Sequence, residues 1–241
     1  QNPYGHSGNF MKTRLAILVG LIFAGVGGFL AWRAWSVDPN EPIYGGKRLS
    51  VWIGELDSKS GERQQAALSA IKHMGPYAKD AVPALTELLD SDLPGTRDMA
   101  VQALGSIGPD AASAAPKLIA MLPTANERLY GFLASSLSRL GPAARPAAPN
   151  FMAALLSDTA PVREAAFSAL VILGPVVLPE VREALESPNP LLRARAASVL
   201  AAIGDPARPA LPELEKLLED PDDLVRRSAA QAIEQFKRDA H

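Results

Sequence analysis

A Gly-Pro step that returns every 33 residues constrains the fold of this 241-residue chain more than any other feature. The step starts at Gly75, Gly108, Gly141 and Gly174, and Gly204 follows the last of these after 30 residues. A second column, of prolines, has spacings of 33, 33, 30 and 33 and consists of Pro83, Pro116, Pro149, Pro179 and Pro212. Both columns fit a loss of three residues between Gly174 and Pro179. A period of this length predicts stacked supersecondary units.

Each unit is predicted to be a pair of helices, as the stretch from Gly141 to Gly174 illustrates. The Gly-Pro step ends the preceding helix, because glycine accepts a left-handed cap and proline cannot continue the helix. We expect a first helix over residues 147–156, a turn over 157–161 and a second helix over 162–173. The i, i+3, i+4, i+7 spacing of a buried helical face is found at Ala166, Ala169, Leu170 and Leu173.

The units predict an all-α protein, an α-solenoid in which neighbouring helical hairpins bury one another's apolar faces. Abundant Ala and Leu, with only 6% aromatic residues, suit closely packed helices better than sheets. We expect this repeat domain over residues 47–241, with an N-terminal capping unit that packs through Trp52, Ile53 and Leu56. The predicted repeats are 48–75, 76–108, 109–141, 142–174, 175–204 and 205–238.

Arginines hold equivalent places near the start of several second helices. The column consists of Arg97, Arg163, Arg193 and Arg226, with Gln64 and Tyr130 in two further repeats. Acidic or polar residues precede it, such as Asp158, Asn189 and Asp220. We expect a structural ladder that caps the second helices and ties neighbouring repeats together. A row of partner-binding side chains is the alternative interpretation.

One pattern recurs in the second helices, in the run VREAA at 162–166, in Leu173-Gly174-Pro175 and in the similar run VRRSAA at 225–230. This pattern resembles the bacterial HEAT-like repeat, the type also found in phycobilisome lyases. The resemblance covers residues 48–238 and implies an α-solenoid that is used mainly for protein binding. Ankyrin and tetratricopeptide repeats have similar periods, but their signature residues are not found in this sequence.

An uncharged apolar run precedes the repeats and predicts a single transmembrane helix. Residues 15–32 carry no charged side chain and reach ~27 Å as a helix, close to the thickness of the bilayer hydrocarbon. We expect a signal anchor over 11–35 and a linker over 36–46, with residues 1–10 as a tag or upstream remnant before Met11. A cleaved signal peptide is the alternative, with a weak cleavage site at 34–36.

Charges around this run favour one orientation in the membrane. Lys12 and Arg14 favour a cytoplasmic N-terminus, which places the repeat domain on the periplasmic side of a bacterial inner membrane. Arg33 follows the run, so a cytoplasmic repeat domain is the alternative. One stripe of small residues, a candidate for pairing with another transmembrane helix, consists of Ala16, Gly20, Ala24 and Gly28.

The face formed by the second helices is the predicted site for a protein partner. Small polar side chains recur on it and would leave a shallow groove for an extended peptide or a helix. The neighbouring column is apolar in two repeats, as expected of an interaction patch, unless the shortened repeat tilts and buries it. The predicted partner-binding residues are Ser135, Ser168, Val171, Ile172, Ser198, Ala201 and Ala202.

The sequence offers little for catalysis or for a bound cofactor. It has no cysteine and three histidines, of which only His73 lies away from the chain ends, so no metal centre is expected. Phosphate-loop and nucleophile-elbow motifs are not found, and a net charge of −2 predicts no general attraction to nucleic acid. The acidic run 219–223 lacks the spacing of a calcium loop and is expected to cap a helix.

Together these features favour a non-catalytic scaffold, tethered to a membrane, that binds a protein partner through its solenoid and uses no cofactor. Two alternatives stay open. One is a structural subunit of a membrane complex. The other is a lyase or chaperone for a cofactor-carrying protein, because HEAT-like lyases have no simple catalytic signature.

Overall fold

The computed structural model describes residues 41–238. The predicted tag 1–10, the anchor 11–35 and residues 36–40 of the predicted linker lie outside the described residues, as does the stripe formed by Ala16, Gly20, Ala24 and Gly28. The described part is all-α apart from one short hairpin, in which strand β1 (Ile43–Tyr44) runs antiparallel to β2 (Lys47–Arg48). The predicted α-solenoid is therefore confirmed for this part of the chain.

Twelve α-helices alternate between short and long over residues 41–238. The short helix opens each repeat, and these helices are α1 (Leu49–Glu55), α3 (Val82–Glu87), α5 (Ala115–Met121), α7 (Ala148–Ala154), α9 (Leu178–Glu183) and α11 (Leu211–Lys216). The long helix closes each repeat, and these helices are α2 (Gly61–Met74), α4 (Pro94–Ile107), α6 (Glu127–Leu140), α8 (Ala160–Leu173), α10 (Pro190–Ile203) and α12 (Asp223–Arg238). Six helical pairs result, which we number 1 to 6.

Turns of 3-10 helix surround the short helices, because the Gly-Pro step and a second proline interrupt the α-helical hydrogen-bond pattern there. Those before the short helices are Gly75–Ala81, Gly108–Ala114, Gly141–Ala147, Gly174–Val177 and Asp205–Ala210. Those after them are Leu88–Asp90, Leu122–Thr124, Ala184–Glu186 and Leu217–Glu219. The loss of three residues in repeat 5 falls in its opening turn, which has four residues where repeats 2 to 4 have seven.

The glycines that end the long helices do have positive φ, but the predicted left-handed cap was wrong. Gly108 has φ 77° and ψ −139°, and Gly174 has φ 49° and ψ −118°. Left-handed helical residues need ψ near +45°, whereas this positive-φ, extended-ψ conformation is close to a region that only glycine occupies readily. The chain therefore turns sharply at each of these glycines, and the following proline starts the next repeat.

Three predicted boundaries shift by one or two residues in repeat 4. Helix α8 begins at Ala160 and not at residue 162, so Pro161 lies inside its first turn and not in the connecting turn. Proline is well tolerated there, because the first N–H groups of a helix have no intrahelical partner. The short helix α7 begins at Ala148, because the predicted first residue, Ala147, belongs to the 3-10 turn Gly141–Ala147, and it ends at Ala154, two residues before the predicted end.

The core is a continuous apolar layer between the short and long helices. Each long helix packs on the next in chain order, and the contact between α8 and α10 is the smallest of the five. The predicted core residues of α8 are all buried: Ala166, Ala169, Leu170 and Leu173. Buried alanines at such positions allow neighbouring helices to approach closely, so the stack excludes water along the described repeats.

The β-hairpin covers the first repeat, so the predicted linker 36–46 was wrong for its last residues. Gly45 and Gly46 both have positive φ, as a two-residue hairpin turn requires. The indole Nε1 of Trp52 donates to the carbonyl oxygen of Tyr44 at 3.0 Å, and Lys47 Nζ lies 4.4 Å from the centre of the Trp52 ring. These contacts attach the hairpin to α1 and close this end of the apolar layer.

One stretch of the described residues, Ala160–Glu186, is long and apolar enough to cross a membrane by length and composition. It is not one straight helix, because Gly174 breaks it with φ 49°. Its buried residues, such as Leu170 and Val181, belong to the core of repeats 4 and 5. We therefore assign this stretch to the solenoid.

Candidate partner-binding site

The predicted partner-binding residues differ in exposure. Ile172 is 62% exposed, so the shortened repeat does not bury it. Val171 is half-buried and packs against the core, so only part of the predicted apolar patch is accessible. Ser135, Ser168 and Ala202 are exposed, and Ser198 and Ala201 are half-buried. The long-helix face therefore presents most of the predicted side chains to solvent.

A first groove lies where α8 and α10 pack least closely. It has a volume of about 450 Å³ and is open to solvent. We name it the Arg195 groove, and its lining residues are Leu155, Arg163, Glu164, Phe167, Ser168, Arg195 and Ser198. It combines apolar walls with two guanidinium groups and includes the predicted Ser168 and Ser198.

A second groove lies on the other side of α10, between α10 and α12. It has a volume of about 580 Å³. We name it the polar groove, and its lining residues are Ser198, Ala201, Ala202, Ser228, Gln231, Glu234, Gln235 and Arg238. Ser198 lines both grooves, which makes them adjoining parts of one surface. The predicted residues Ser135, Val171 and Ile172 line neither groove.

The guanidinium of Arg195 has no partner among the described residues. Its Nη1 atom is buried from solvent and makes no hydrogen bond. Burial lowers the pKa of Arg195 because it disfavours the charged form, and the positive charge of Arg163 lowers it further. Glu164 also lines the groove, but the influences on the pKa of Arg195 are burial and Arg163 and do not include this carboxylate. The groove therefore holds a cation that forms no ion pair with any residue between 41 and 238.

The arginine ladder makes a different set of contacts, with carbonyl groups just before each long helix. Arg163 Nη1 donates to the carbonyls of Ser157 and Asp158, both at 2.8 Å. Arg193 and Arg226 make the equivalent pairs of contacts five and six residues earlier. These arginines thus hold the turn between the two helices of a repeat, mainly through backbone oxygen atoms.

An ion pair between repeats is formed by one ladder arginine. Arg193 donates through Nε and Nη2 to the two carboxylate oxygens of Asp220, each at 2.8 Å. Only 13% of the Arg193 side chain and 6% of the Asp220 side chain is exposed. The hydrogen bond from Arg193 lowers the pKa of Asp220, so the carboxylate keeps its charge to a lower pH than an ordinary aspartate does. This pair ties repeat 5 to repeat 6.

The ladder is not uniform along the chain. Gln64 substitutes by donating to the carbonyl of Leu56 at 2.8 Å. The Nε atom of Arg97 is buried and has no hydrogen-bond partner within the part of the chain that the structure describes. Tyr130 is 6% exposed, and burial without a partner for its hydroxyl raises the pKa of Tyr130 to about 12. The side chains of the ladder column therefore bind backbone carbonyls in some repeats and pack in the apolar core in another.

The acidic run before α12 caps a helix, as expected. Asp222 Oδ1 accepts from the backbone N–H groups of Leu224 and Val225, at 2.8 and 3.3 Å. Asp220 is engaged by Arg193 and by the N–H of Asp222. These carboxylates satisfy backbone donors at the helix start.

Arg195 was missed in the sequence, although a signal for it exists. It lies two residues after ladder residue Arg193, and the equivalent residues of the other repeats are Ala66, Met99, Phe132, Ala165 and Ser228. Arg195 is the one charged residue in a column of small or apolar residues. The other five repeats form the same fold without a charge at this position, so the fold does not require it.

Contacts between consecutive short-helix segments were missed as well. Lys117 Nζ donates to Asp90 Oδ2 at 2.6 Å and to the carbonyl of Thr86 at 2.8 Å. Arg145 pairs with Glu180 at 2.8 Å, and further along the chain Arg182 pairs with Glu213. These pairs connect repeats on the short-helix side. The long helices of repeats 1 to 3 are also tied across repeats, because Lys72 Nζ donates to Gln102 Oε1 at 2.7 Å and Arg128 pairs with Asp98 at 3.0 Å.

The comparisons with known proteins agree with this architecture. The sequence matches the family of HEAT repeats over residues 49–138 and 172–234, which together are more than half of the chain. The chain belongs to the HEAT repeat family. No match was found among curated proteins. Membership of the HEAT repeat family establishes the fold of this chain. A function must be inferred from the grooves on its surface.

Three solved structures are similar to this chain at low sequence identity, and one of them, Kap121p, is similar enough to show the same fold. Kap121p aligns with a TM-score of 0.54 and 16% identity, over 81% of this HEAT repeat chain and 24% of Kap121p. The CpcE–CpcF complex of phycocyanin lyase from Nostoc sp. PCC7120 aligns with a TM-score of 0.46 and 23% identity, over 83% and 82% of the two chains. An archaeal HEAT-like repeats protein from Thermococcus onnurineus NA1 aligns over the full length of both chains, with a TM-score of 0.44 and 15% identity.

Proposed function

We propose that this chain is a non-catalytic scaffold that binds a segment of a protein partner on the face formed by its long helices. The observation that carries the proposal is the pair of open, adjoining grooves on the two sides of α10, which share Ser198. Exposed or adaptable grooves between helices suit peptide segments, which lie along a surface without being enclosed.

Site-specific photo-crosslinking tests this proposal in cells that express the full chain. A photo-reactive amino acid replaces Ser168 or Ala202 on the groove face, and Ala112 or Glu183 on the short-helix face serves as the matched control. All four positions are exposed. We expect the same partner protein to be crosslinked from both groove positions and from neither control position. Crosslinks of equal yield from all four positions would refute the proposal.

We also propose that residues 15–32 anchor the scaffold in a membrane, with the repeat domain on the periplasmic side of a bacterial inner membrane. The support is the uncharged run itself and the preceding Lys12 and Arg14. Replacing Gly20 and Ala24 with arginine should release the chain from alkali-washed membranes, because charges at the centre of a span are costly. A protease added to spheroplasts should digest the repeat domain, and protection from it would reverse the orientation.

A further inference from the structure

We propose that the Arg195 groove binds an extended partner segment in which a carboxylate side chain lies beside an apolar one. This inference rests on the proposed function, since it names the chemistry of the segment that the scaffold takes. The carboxylate pairs with the guanidinium of Arg195, and the apolar side chain packs against Phe167 and Leu155, which line the same groove.

The charge of Arg195 is the first reason. A guanidinium that is partly buried without a counter-ion is unfavourable, and a second guanidinium nearby adds repulsion. Arg163 does not offer an equivalent free group, because its Nη1 atom already donates to two carbonyls. A carboxylate is the anion that matches the planar donors of arginine, often through two parallel hydrogen bonds. An incoming carboxylate would therefore supply the charge that the described residues do not provide.

The walls of the groove are the second reason. Leu155 is buried at 2% exposure, and the ring of Phe167 is half-buried against the core. An apolar side chain placed there would remove from water the part of the Phe167 ring that is still exposed, whereas Leu155 has almost no surface left to cover. Purely ionic ligands would gain nothing from these walls, so the groove favours a segment that joins both chemistries.

The repeat pattern is the third reason. Five equivalent positions carry Ala66, Met99, Phe132, Ala165 and Ser228, and the same fold forms in all six repeats. Stacking of repeats therefore does not require an arginine at position 195. The charged side chain occurs in the repeat that lines both grooves, where its role is best explained by a ligand.

The shape of the surface indicates an extended protein segment. The Arg195 groove is open and continues past Ser198 into the polar groove, so a ligand can lie across two repeats. Neighbouring helix axes are ~8–10 Å apart, and an extended chain rises ~3.3 Å per residue. About six residues would then cross both grooves. In such a segment, residues two positions apart face the same side, so one acidic and one apolar residue at that spacing reach the Arg195 groove together.

Peptide binding to the full chain in detergent micelles tests the inference. The probes are fluorescently labelled hexapeptides of serine with one Leu and one Glu two positions apart, in both orders. Matched probes carry Gln in place of Glu, or Ser in place of Leu. We expect the Glu probe of one order to bind about tenfold more tightly than its Gln counterpart. We expect the loss of Leu to weaken binding by about threefold to tenfold.

Two variants of equal charge separate the groove from general electrostatics. Arg195→Gln should remove the preference for Glu over Gln, whereas Arg227→Gln, at an exposed arginine of α12, should keep it. Arg195→Gln should melt no lower than the parent protein, since it removes an unpaired charge; Arg195→Lys serves as a second variant and should keep part of the preference.

Several outcomes would overturn the inference. They are equal affinity for the Glu and Gln probes, a preference that survives in Arg195→Gln, or no binding at about 1 mM peptide, the weak end of specific recognition. Competition by inorganic phosphate as strong as by the Glu probe would show a general anion site in place of a docking groove. Crosslinks from Ser168 and Ala202 that persist without any carboxylate preference would refute only this inference, whereas their loss would refute the scaffold itself.

Discussion

The junction between repeats 2 and 3 and the junction between repeats 5 and 6 join equivalent helices by different physical means. Between α4 and α6, Gly105 lies so close to Ser136 that an added Cβ would be 2.4 Å from its Oγ and 2.7 Å from its Cα. Ser136 also donates to the carbonyl of Val101 at 2.9 Å. Between repeats 5 and 6, α10 and α12 have the most extensive contact of the five long-helix pairs, and the buried Arg193–Asp220 ion pair adds a charged connection to it.

The ladder column shows the same contrast at a single repeat position. Repeat 3 has Tyr130 there, a buried ring without a hydrogen-bond partner, and repeat 5 has Arg193 with a carboxylate and two carbonyls. The repeat unit therefore fixes which positions meet, whereas the side chains decide whether the contact is apolar or ionic. The two junctions should consequently respond differently to mutation and to pH.

Loss of the ion pair is the strongest way to test this contrast. Asp220→Ala leaves the guanidinium of Arg193 buried without its partner and should lower the free energy of unfolding by about 3 kcal/mol. Asp223→Ala is the control, because Asp223 is 66% exposed and its pairs with Arg226 and Arg227 should contribute ~0–1 kcal/mol. Urea unfolding followed by circular dichroism measures both, and similar losses in the two variants would contradict the assignment.

Acid should act at the same junction. Because the pKa of Asp220 is lowered in the folded state, its contribution is complete above the usual aspartate range and is lost as pH falls through the lowered value. Hydrogen exchange of α10 and α12 should therefore accelerate in acid before exchange of α4 and α6 does. The opposite order would show that the ion pair does not control this junction.

Close packing at the other junction is tested by Gly105→Ala. Ser136 backbone atoms block the new methyl group, so the helices must separate, and overpacking should lower the free energy of unfolding by about 2 kcal/mol. Gly131→Ala in α6 is the matched control, since a Cβ there meets nothing within 4 Å and alanine favours the helix by about 0.5–1 kcal/mol. The two substitutions should shift the melting temperature in opposite directions; a stabilising Gly105→Ala would disprove the close approach.

Alkaline pH should weaken the repeat that carries Tyr130. Its folded pKa of about 12 lies above the usual value of 10, so its contribution is present below pH 10 and is lost as pH rises towards 12. At pH 11 the free energy of unfolding should be about 1.4 kcal/mol lower than at pH 9. This is the free energy that corresponds to one pKa unit, the interval between the usual value of 10 and pH 11. Tyr130→Phe should abolish this loss, whereas Tyr77→Phe, at a 75% exposed ring, should retain it.

The sequence was sufficient for the architecture because the helical period and the Gly-Pro steps are local properties. Gly174 and Pro179 even located the shortened repeat, whose opening turn lacks three residues. Close contacts between helices were not predictable in the same way. Gly105 shares its repeat position with Val171 and Ala201, and only the distance between α4 and α6 distinguishes it as a packing site.

The candidate site was predictable in part, for a related reason. Ser168 and Ser198 were expected on the long-helix face, and they line the Arg195 groove. Arg195 was not predicted. It lies two residues after the ladder residue Arg193, and the sequence alone does not distinguish an arginine that caps a turn from one that lines a groove. Its importance depends on the absence of a partner within the described residues, and partners become known only when side chains of neighbouring repeats are placed together.

The smallest predicted effect concerns the exposed ion pairs between short-helix segments. We expect each of them to contribute less to stability than the buried Arg193–Asp220 pair. Lys117 of repeat 3 pairs with Asp90 of repeat 2. Because 77% of the Asp90 side chain is exposed, solvent screens the interaction. Lys117→Gln should lower the free energy of unfolding by about 0.2–1 kcal/mol, and 0.5 M salt should reduce that difference, whereas the Arg193–Asp220 contribution should persist. A double-mutant cycle with Asp90→Asn measures the coupling. A coupling energy as large as that of the buried Arg193–Asp220 pair would contradict this expectation. A strong ionic connection between repeats would then not be specific to repeats 5 and 6.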